Sequence, residues 1–223
     1  MYKTELHCHS KHVSTCAHAS HEEIVEKYVA AGYTTIVSTE HINPWTFSRE
    51  LEASTWRARL DHFMDAYRDF CRAAEGKLNI LLGAEIRFMR GNDSDYLVYG
   101  LTEEFLLDLG DPRYINSIHT LSRIVHERGL MIYQAHPFRP GMTVTDPHIL
   151  DGIEVANCSP WHESHNDVAA MWAQVNGLHG ISGTDFHDAD HTPIGGIITE
   201  EPIGSSEKLL EVLRSDSYML IEK

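Results

Sequence analysis

Six short apolar runs in this sequence each end on a histidine, glutamate or aspartate, and that recurrence constrains the fold more than any other feature. Residues 3–7 end in His7-Cys8-His9, and Thr34 to Ser38 ends in Thr39-Glu40-His41. Leu78 to Leu82 leads to Gly83-Ala84-Glu85, and Tyr114 to Ile118 leads to His119. Leu130 to Gln134 leads to Ala135-His136-Pro137, and Gly180 to Ser182 leads to Gly183-Thr184-Asp185-Phe186-His187. Short runs rich in β-branched and aromatic residues read as buried strands. If the strands are parallel and close into a barrel, their C-terminal ends meet on one face, where barrel enzymes carry their sites.

The intervening segments have helical character. Ser20-His21-Glu22-Glu23 is a capping box, and Gly32 supplies the stop for the helix it opens. Leu51, Trp56, Leu60, Phe63, Tyr67 and Phe70 are spaced for one buried face of a helix over 50–75. Further helices are expected near 121–128, 163–176 and 206–214, and further strands at Tyr96 to Tyr99, Gly152 to Val155 and Tyr218 to Ile221. Alternating strands and helices define an α/β protein with a mainly parallel sheet. Seven or so such units in 223 residues fit a small or incomplete barrel, since eight units take about 250 residues. No Gly-rich dinucleotide fingerprint or P-loop is present. The whole chain, 1–223, reads as one domain without linker or repeat, long enough to fold without disulfides.

Composition narrows the chemistry. The formal charge of −15 argues against a broad basic surface for duplex nucleic acid. Bound divalent cations would make a local positive site on an acidic body and favour small anions. No apolar run approaches the roughly 18 residues of a membrane span. The start, MYKTELHCHS, lacks the features of a signal peptide, so a cytoplasmic location is expected. The four cysteines, Cys8, Cys16, Cys71 and Cys158, form no CxxC pair and are expected as thiols. Cys8 and Cys16 lie among the candidate ligands, but the nitrogen and oxygen donors nearby already suffice for a metal site.

One histidine after a strand is more often a hydrogen-bonded loop residue than a ligand. Six strand ends sharing this character point to bound metal. In extended chain, residues two apart face the same side, so His7 and His9 can grip one ion and Asp185 and His187 can face one pocket.

At these residues the sequence resembles the PHP (polymerase and histidinol phosphatase) family. His7-Cys8-His9 resembles its first motif, Thr39-Glu40-His41 its second, and Gly183-Thr184-Asp185-Phe186-His187 its last. Cys16-Ala17-His18-Ala19 resembles a stretch of the histidinol-phosphatase-like members, and Glu85, His119 and His136 match the middle ligands. The resemblance implies a distorted seven-stranded β/α barrel, TIM-barrel-like, with three divalent ions of zinc, manganese or iron. It implies that His7, His9, Glu85 and Asp185 hold one ion and that Glu85 bridges to a second, held by His119 and His136. His18, His41 and His187 would hold the third. Residues 11–15 form a small insertion that makes His12 a rival to His18, with His18 favoured because it directly precedes the capped helix.

Such a centre suits hydrolysis of a small phosphate monoester, a histidinol-phosphate-like metabolite being one candidate, by in-line attack of a metal-bound hydroxide. Glu85, Asp185 and His187 are the expected catalytic residues. Arg139 and Arg87 are candidate phosphate clamps, and Asn157 a weaker substrate contact. A ligating imidazole is a poor proton donor to the leaving group, so His162 and His165 are considered for that role. His21, His62, His126, His148 and His179 read as ordinary residues, and His191 is left undecided. Trp45, Phe47 and Trp161 are candidates to line or cover the pocket, with specificity expected in loops 42–50, 88–95 and 138–148. The alternatives are a phosphodiesterase or 3′-exonuclease on short nucleic acids, an amidohydrolase, and a non-catalytic metal-binding module. The amidohydrolase reading lacks its metal-bridging lysine.

Overall fold

In the computed structural model, which describes residues 1–91 and 93–222, β1 (Tyr2–Cys8) sets the direction of a single curved sheet. Asn92, within one expected specificity loop, lies outside the described residues. β2 (Tyr33–Ser38) pairs with β1, and β4 (Asn79–Ile86) with β2, all in parallel. β5 (Tyr96–Tyr99) then runs antiparallel between β4 and β6 (Met131–Gln134). From β6 the sheet returns to parallel through β7 (Gly152–Asn157) and β8 (His179–Gly183). These seven strands form a nearly closed barrel, with β3 (His41–Ile42) paired on β4 beside the rim.

Closure is asymmetric. At the upper end, Phe186, just past β8, bridges Cys8, and the His9 amide donates to the Phe186 carbonyl at 2.9 Å. At the lower end, β9 (Ile197–Thr199) pairs antiparallel with β1, and β10 (Met219–Leu220) with β9. That seam is hydrogen-bonded to β8 by the Gly196 amide on Ser182 Oγ at 3.2 Å.

The helices follow their sequence signals with three corrections. α1 (His21–Ala30) carries both halves of the Ser20/Glu23 capping box. The expected helix over 50–75 is two: α2 (Arg49–Glu52), capped by Ser48, and α3 (Trp56–Ala74). Thr55 restarts the helix by accepting from the Ala58 amide, and capping outweighs the continuous apolar periodicity. α4 (Glu103–Leu109), too short to show a face, was not anticipated. The third correction is the strand expected at Tyr114 to Ile118. Asn116 adopts a left-handed φ of 54° and Ser117 caps α5 (Ile118–Glu127), so this segment turns instead of extending. α6 (Asn166–Asn176) and α7 (Ser206–Ser215) complete the set. Leu60, Phe63 and Met64 of α3 pack against Leu82, Ala84 and Ile86 of β4 in the largest core. No helix among the described residues is long and apolar enough to cross a membrane.

The fully buried Arg113 fastens the rim after β3. Its guanidinium donates to Asp111 Oδ2 at 2.6 Å, Glu52 Oε2 at 2.9 Å and the Asn43 carbonyl at 3.3 Å, and lies 4.9 Å from the Phe47 ring centre. Phe47 is therefore core and not a lid. Removing the guanidinium leaves the buried Asp111 carboxylate short of a partner. Arg113→Ala is expected to cost about 3 kcal/mol of stability, read from urea unfolding. A midpoint indistinguishable from the parent would show that the network does not hold this rim.

Candidate metal centre

Parallel strands deliver their ends to one rim, and there the expected side chains meet. Glu85 is inside β4, which runs on to Ile86, four residues past the expected end of its apolar run at Leu82. Its two oxygens face different partners. Oε2 lies 2.9 Å from His41 Nδ1, 3.2 Å from His9 Nε2 and 3.3 Å from His7 Nε2. Oε1 lies 3.2 Å from His136 Nε2. Asp185 Oδ1 lies 3.4 Å from His7 Nε2 and 3.5 Å from His9 Nε2.

The His136 Nε2–Glu85 Oε1 approach is a hydrogen bond; the others are close without being one. His7 Nε2, His9 Nε2, His41 Nδ1 and Glu85 Oε2 are buried and lack a hydrogen-bond partner. Unsatisfied buried polar atoms cost about 1–3 kcal/mol each, so four in one place call for a shared partner. A tetrahedral ion bonded at about 2.0–2.1 Å spaces its donors about 3.3 Å apart. The separations of 3.2–3.5 Å linking His7 and His9 to Glu85 and Asp185 match that spacing. Three donor groups can be drawn: His7, His9 and Asp185; His7, Glu85 and His136; and His9, His41 and His187. The residues present therefore fit divalent metal.

Buried carboxylates behind the cluster hold it in place. Glu154 Oε1 takes His7 Nδ1 at 2.8 Å, leaving Nε2 turned to the cluster, and Oε2 accepts from the His136 amide at 2.9 Å. Glu40 Oε2 accepts from Ser14 Oγ at 2.6 Å, and Ser14 in turn meets His9 Nδ1 at 3.3 Å. Glu5 accepts from the His7 and Thr184 amides at 2.9 Å and from Tyr28 at 2.7 Å, tying β1 to the segment bearing Asp185. None of the three was singled out from sequence as a support. The available signal was a charged residue inside an otherwise apolar strand, as in TELHC and GIEVAN. His136 and Asp185 both have positive φ, 28° and 50°, a strained conformation held by its surroundings at a functional site.

Electrostatics follow from this crowding. Burial alone would lower His7, but Glu154, Asp185 and Glu85 hold it well above its ordinary value. Burial would likewise lower His41 and His136, but Glu85 outweighs it and holds both above their ordinary values. Burial would raise the carboxyls, yet His7 and His41 hold Glu85, and His7 and His187 hold Asp185, well below the usual range. His187 is pushed down to about 3 by burial and by His9, so it stays neutral and ready to ligate.

Other expected residues are placed differently. His119 is exposed on the first turn of α5 because that segment is not a strand, while Asp95 Oδ2 lies 3.8 Å from His136 Nε2. His18 is exposed, its Nδ1 3.2 Å from Asp188 Oδ2, and His12 stacks on His21 at 4.0 Å, so neither enters the cluster. The guanidinium of Arg87 is engaged by Asp95, whose carboxylate competes with any phosphate for it. Asn157 directs its amide to Glu154 Oε2 at 3.0 Å and Asp185 Oδ2 at 3.2 Å, an orienting contact and not one free for substrate. Arg139 follows His136 in a turn, half-buried and without a side-chain partner among the described residues. His162 stands 3.5 Å from Asp185 Oδ2, whereas His165 is exposed at the start of α6. His191 is buried and accepts from the His187 amide at 3.3 Å, supporting the last motif from behind. Exposed Trp161 lies 5.1 Å from the His187 ring, and exposed Trp45 lies 5.9 Å from Arg87. His21 is buried on Ser10 at 3.0 Å, His62 is exposed, and His126, His148 and His179 pair with Asp151, Asp146 and Asp216.

The PHP domain family matches residues 5–177, and this chain belongs to that family, whose members are metal-dependent hydrolases. No curated protein matches the sequence. Among solved structures the fold is similar to a two-domain protein containing a predicted PHP-like metal-dependent phosphoesterase from Bacteroides vulgatus, at 17% identity and a TM-score of 0.64. That match covers 99% of this chain and 64% of the other, so the chain spans under two-thirds of that relative. PsfC from Pseudomonas syringae matches at 15% identity and TM-score 0.70, covering 100% and 91% of the two chains. The lesion-specific endonuclease PfuEndoQ from Pyrococcus furiosus matches at 12% identity and TM-score 0.68, covering 98% and 57%.

Two outcomes are expected. Because His7, His41 and His136 are held above their ordinary values while Glu85 and Asp185 are already ionised, metal entry at about pH 7 must expel imidazole protons. Calorimetry in buffers of differing ionisation enthalpy should show net proton release, and affinity should fall as pH falls; binding without release would contradict these protonation states. A Cβ on Gly183 would lie 2.4 Å from His7 Cβ and 2.6 Å from Glu154 Oε1. Gly183→Ala should therefore weaken metal affinity by about 10–100-fold, the usual effect of disturbing an orienting partner; unchanged affinity would show that the His7–Glu154 contact is dispensable.

Proposed function

We propose that this chain is a phosphoesterase that uses three divalent ions to hydrolyse a small phosphate monoester. The observation that carries this reading is Glu85, whose Oε2 faces His7, His9 and His41 while its Oε1 faces His136. His7, His9, Glu85 and Asp185 would hold one ion, and Glu85 and His136, with Asp95 nearest, a second. His41 and His187, with His9 alongside, would hold a third. Zinc, manganese or iron suits these imidazole and carboxylate donors. Clustered divalent ions lower the pKa of water and neutralise charge on phosphate oxygens.

The chain's own residues supply the remainder. Arg139, without a side-chain partner among the described residues and three residues after His136, would take two phosphate oxygens through its planar fork. His162 is partly exposed, its Nε2 lacks a hydrogen-bond partner, and its ring centre is 5.9 Å from that of His136. It would protonate a leaving alkoxide, which a ligating imidazole does poorly. Asp185 and His187 act by fixing the donors around the reacting phosphate. The charge of −15 favours a small anion over a polyanion.

A phosphodiesterase acting on nucleic acid is the second reading, supported by the fold similarity to PfuEndoQ. The two are separated by assaying phosphate monoesters and damaged or single-stranded oligonucleotides with added manganese or zinc. Preferred turnover of monoesters supports the first; cleavage of oligonucleotides alone replaces it with the second. Glu85→Ala should lose two ions and at least about 100-fold in kcat while keeping its fold, whereas near-parental turnover would remove Glu85 from the mechanism. Arg139→Ala should raise KM for the monoester far more than it lowers kcat.

A further inference from the structure

The 158–165 loop between β7 and α6 carries a large ring that the metal centre does not use. Trp161 is 49% exposed, yet its ring centre lies 5.1 Å from that of buried His187 and 4.7 Å from that of buried His191. His187 belongs to the third donor group, so the indole stands where that group meets solvent. The loop is fastened to the cluster at both ends. The Cys158 amide donates to the Gly183 carbonyl at 2.9 Å, and the Ser159 amide to Asn157 Oδ1 at 3.1 Å. Beyond the tryptophan, Ser164 Oγ donates to the same Oδ1 at 3.4 Å, and Asn166 Nδ2 to the Asn157 carbonyl at 2.9 Å. Asn157 Nδ2 in turn donates to Asp185 Oδ2 at 3.2 Å. An indole held half in water on an anchored loop has apolar area still to bury. The next residue, His162, brings Nε2 to 3.5 Å from Asp185 Oδ2 without a hydrogen-bond partner.

We propose that Trp161 is a specificity-determining residue whose indole stacks on a planar aromatic ring in the alcohol portion of the substrate. The proposal rests on the phosphoesterase reading above and deepens it by naming the class of leaving group. The donors that would hold the phosphate are buried, so the remainder of a bound ester extends past the rim toward solvent. The 158–165 loop meets it there with two adjacent side chains, His162 for the leaving oxygen and Trp161 for the body behind it. Aromatic rings attract one another through their quadrupoles beyond what area burial supplies, and an alicyclic ring of the same size does not share that attraction. Aryl and alicyclic ligands of equal charge and similar volume therefore separate stacking on Trp161 from simple apolar contact.

The test titrates the full-length, zinc-loaded parent, Trp161→Ala and Trp161→Phe calorimetrically with methylphosphonate, benzylphosphonate and cyclohexylmethylphosphonate, none of which is hydrolysed. The parent should bind benzylphosphonate about 10-fold tighter than the cyclohexylmethyl compound. Trp161→Ala should lose that preference and Trp161→Phe should keep most of it. Methylphosphonate, too short to reach the indole, should bind all three proteins alike. With benzyl phosphate as substrate, Trp161→Ala should raise KM by a similar factor and leave kcat little changed. Equal affinity of the parent for the two ring compounds, or a preference retained in Trp161→Ala, overturns the assignment. Equal weakening of all three ligands in Trp161→Ala also overturns it and makes Trp161 a support of the loop. A parent that binds methylphosphonate without ring preference sinks the assignment alone, whereas one that binds no phosphonate contradicts the phosphoesterase reading and takes the assignment with it.

Discussion

One buried carboxylate, Glu85, faces four imidazoles with its two oxygens, and the rest of the rim depends on how that crowding is relieved. Without a cation, the donors crowd one another at distances that suit a shared metal better than mutual hydrogen bonds. Opposite charges keep the carboxylates ionised and several imidazoles protonated, and cation entry would leave the carboxylates ionised while displacing the imidazole protons. The barrel makes this crowding affordable by bringing the ends of β1, β4, β6 and β8, with the short β3, to one rim.

Precision at the rim comes from behind it. Glu154, Glu40 and Glu5 are three further buried carboxylates, each hydrogen-bonded to the backbone or side chain of a donor or its neighbour. Glu154 fixes which nitrogen of His7 faces the cluster and simultaneously takes the amide of His136, coupling two donors from different strands. Gly183 has no side chain because His7 and Glu154 occupy the space one would fill. The positive φ angles of His136 and Asp185 are the local cost of aiming these side chains inward.

Much of this was legible in the sequence for a physical reason: parallel strands place residues that are far apart in the chain at one end of the sheet. His7, His9, His41, Glu85, His136, Asp185 and His187 could be read from their positions after apolar runs, and the structure brings all seven together. His119 and His18 could not. The apolar run 114–118 looks extended, but Asn116 and Ser117 turn it into a helix start, a local choice that periodicity does not report. His18 lies beyond an insertion whose path depends on Ser14 and Glu40, contacts that span tens of residues. Arg87 is invisible as a structural partner until β5 brings Asp95 beside it. The supports Glu5, Glu40 and Glu154 were hidden for a similar reason, since a single buried charge in a strand does not announce what it holds.

The bridging role of Glu85 is tested most directly by anomalous diffraction from crystals of the zinc- or manganese-loaded protein. The account predicts separate anomalous peaks bonded to Glu85 Oε1 and Oε2, one shared with His136 and the other with His7 and His9. Metal peaks that leave Glu85 uncoordinated, or no peak at this rim in a fully loaded protein, would contradict it.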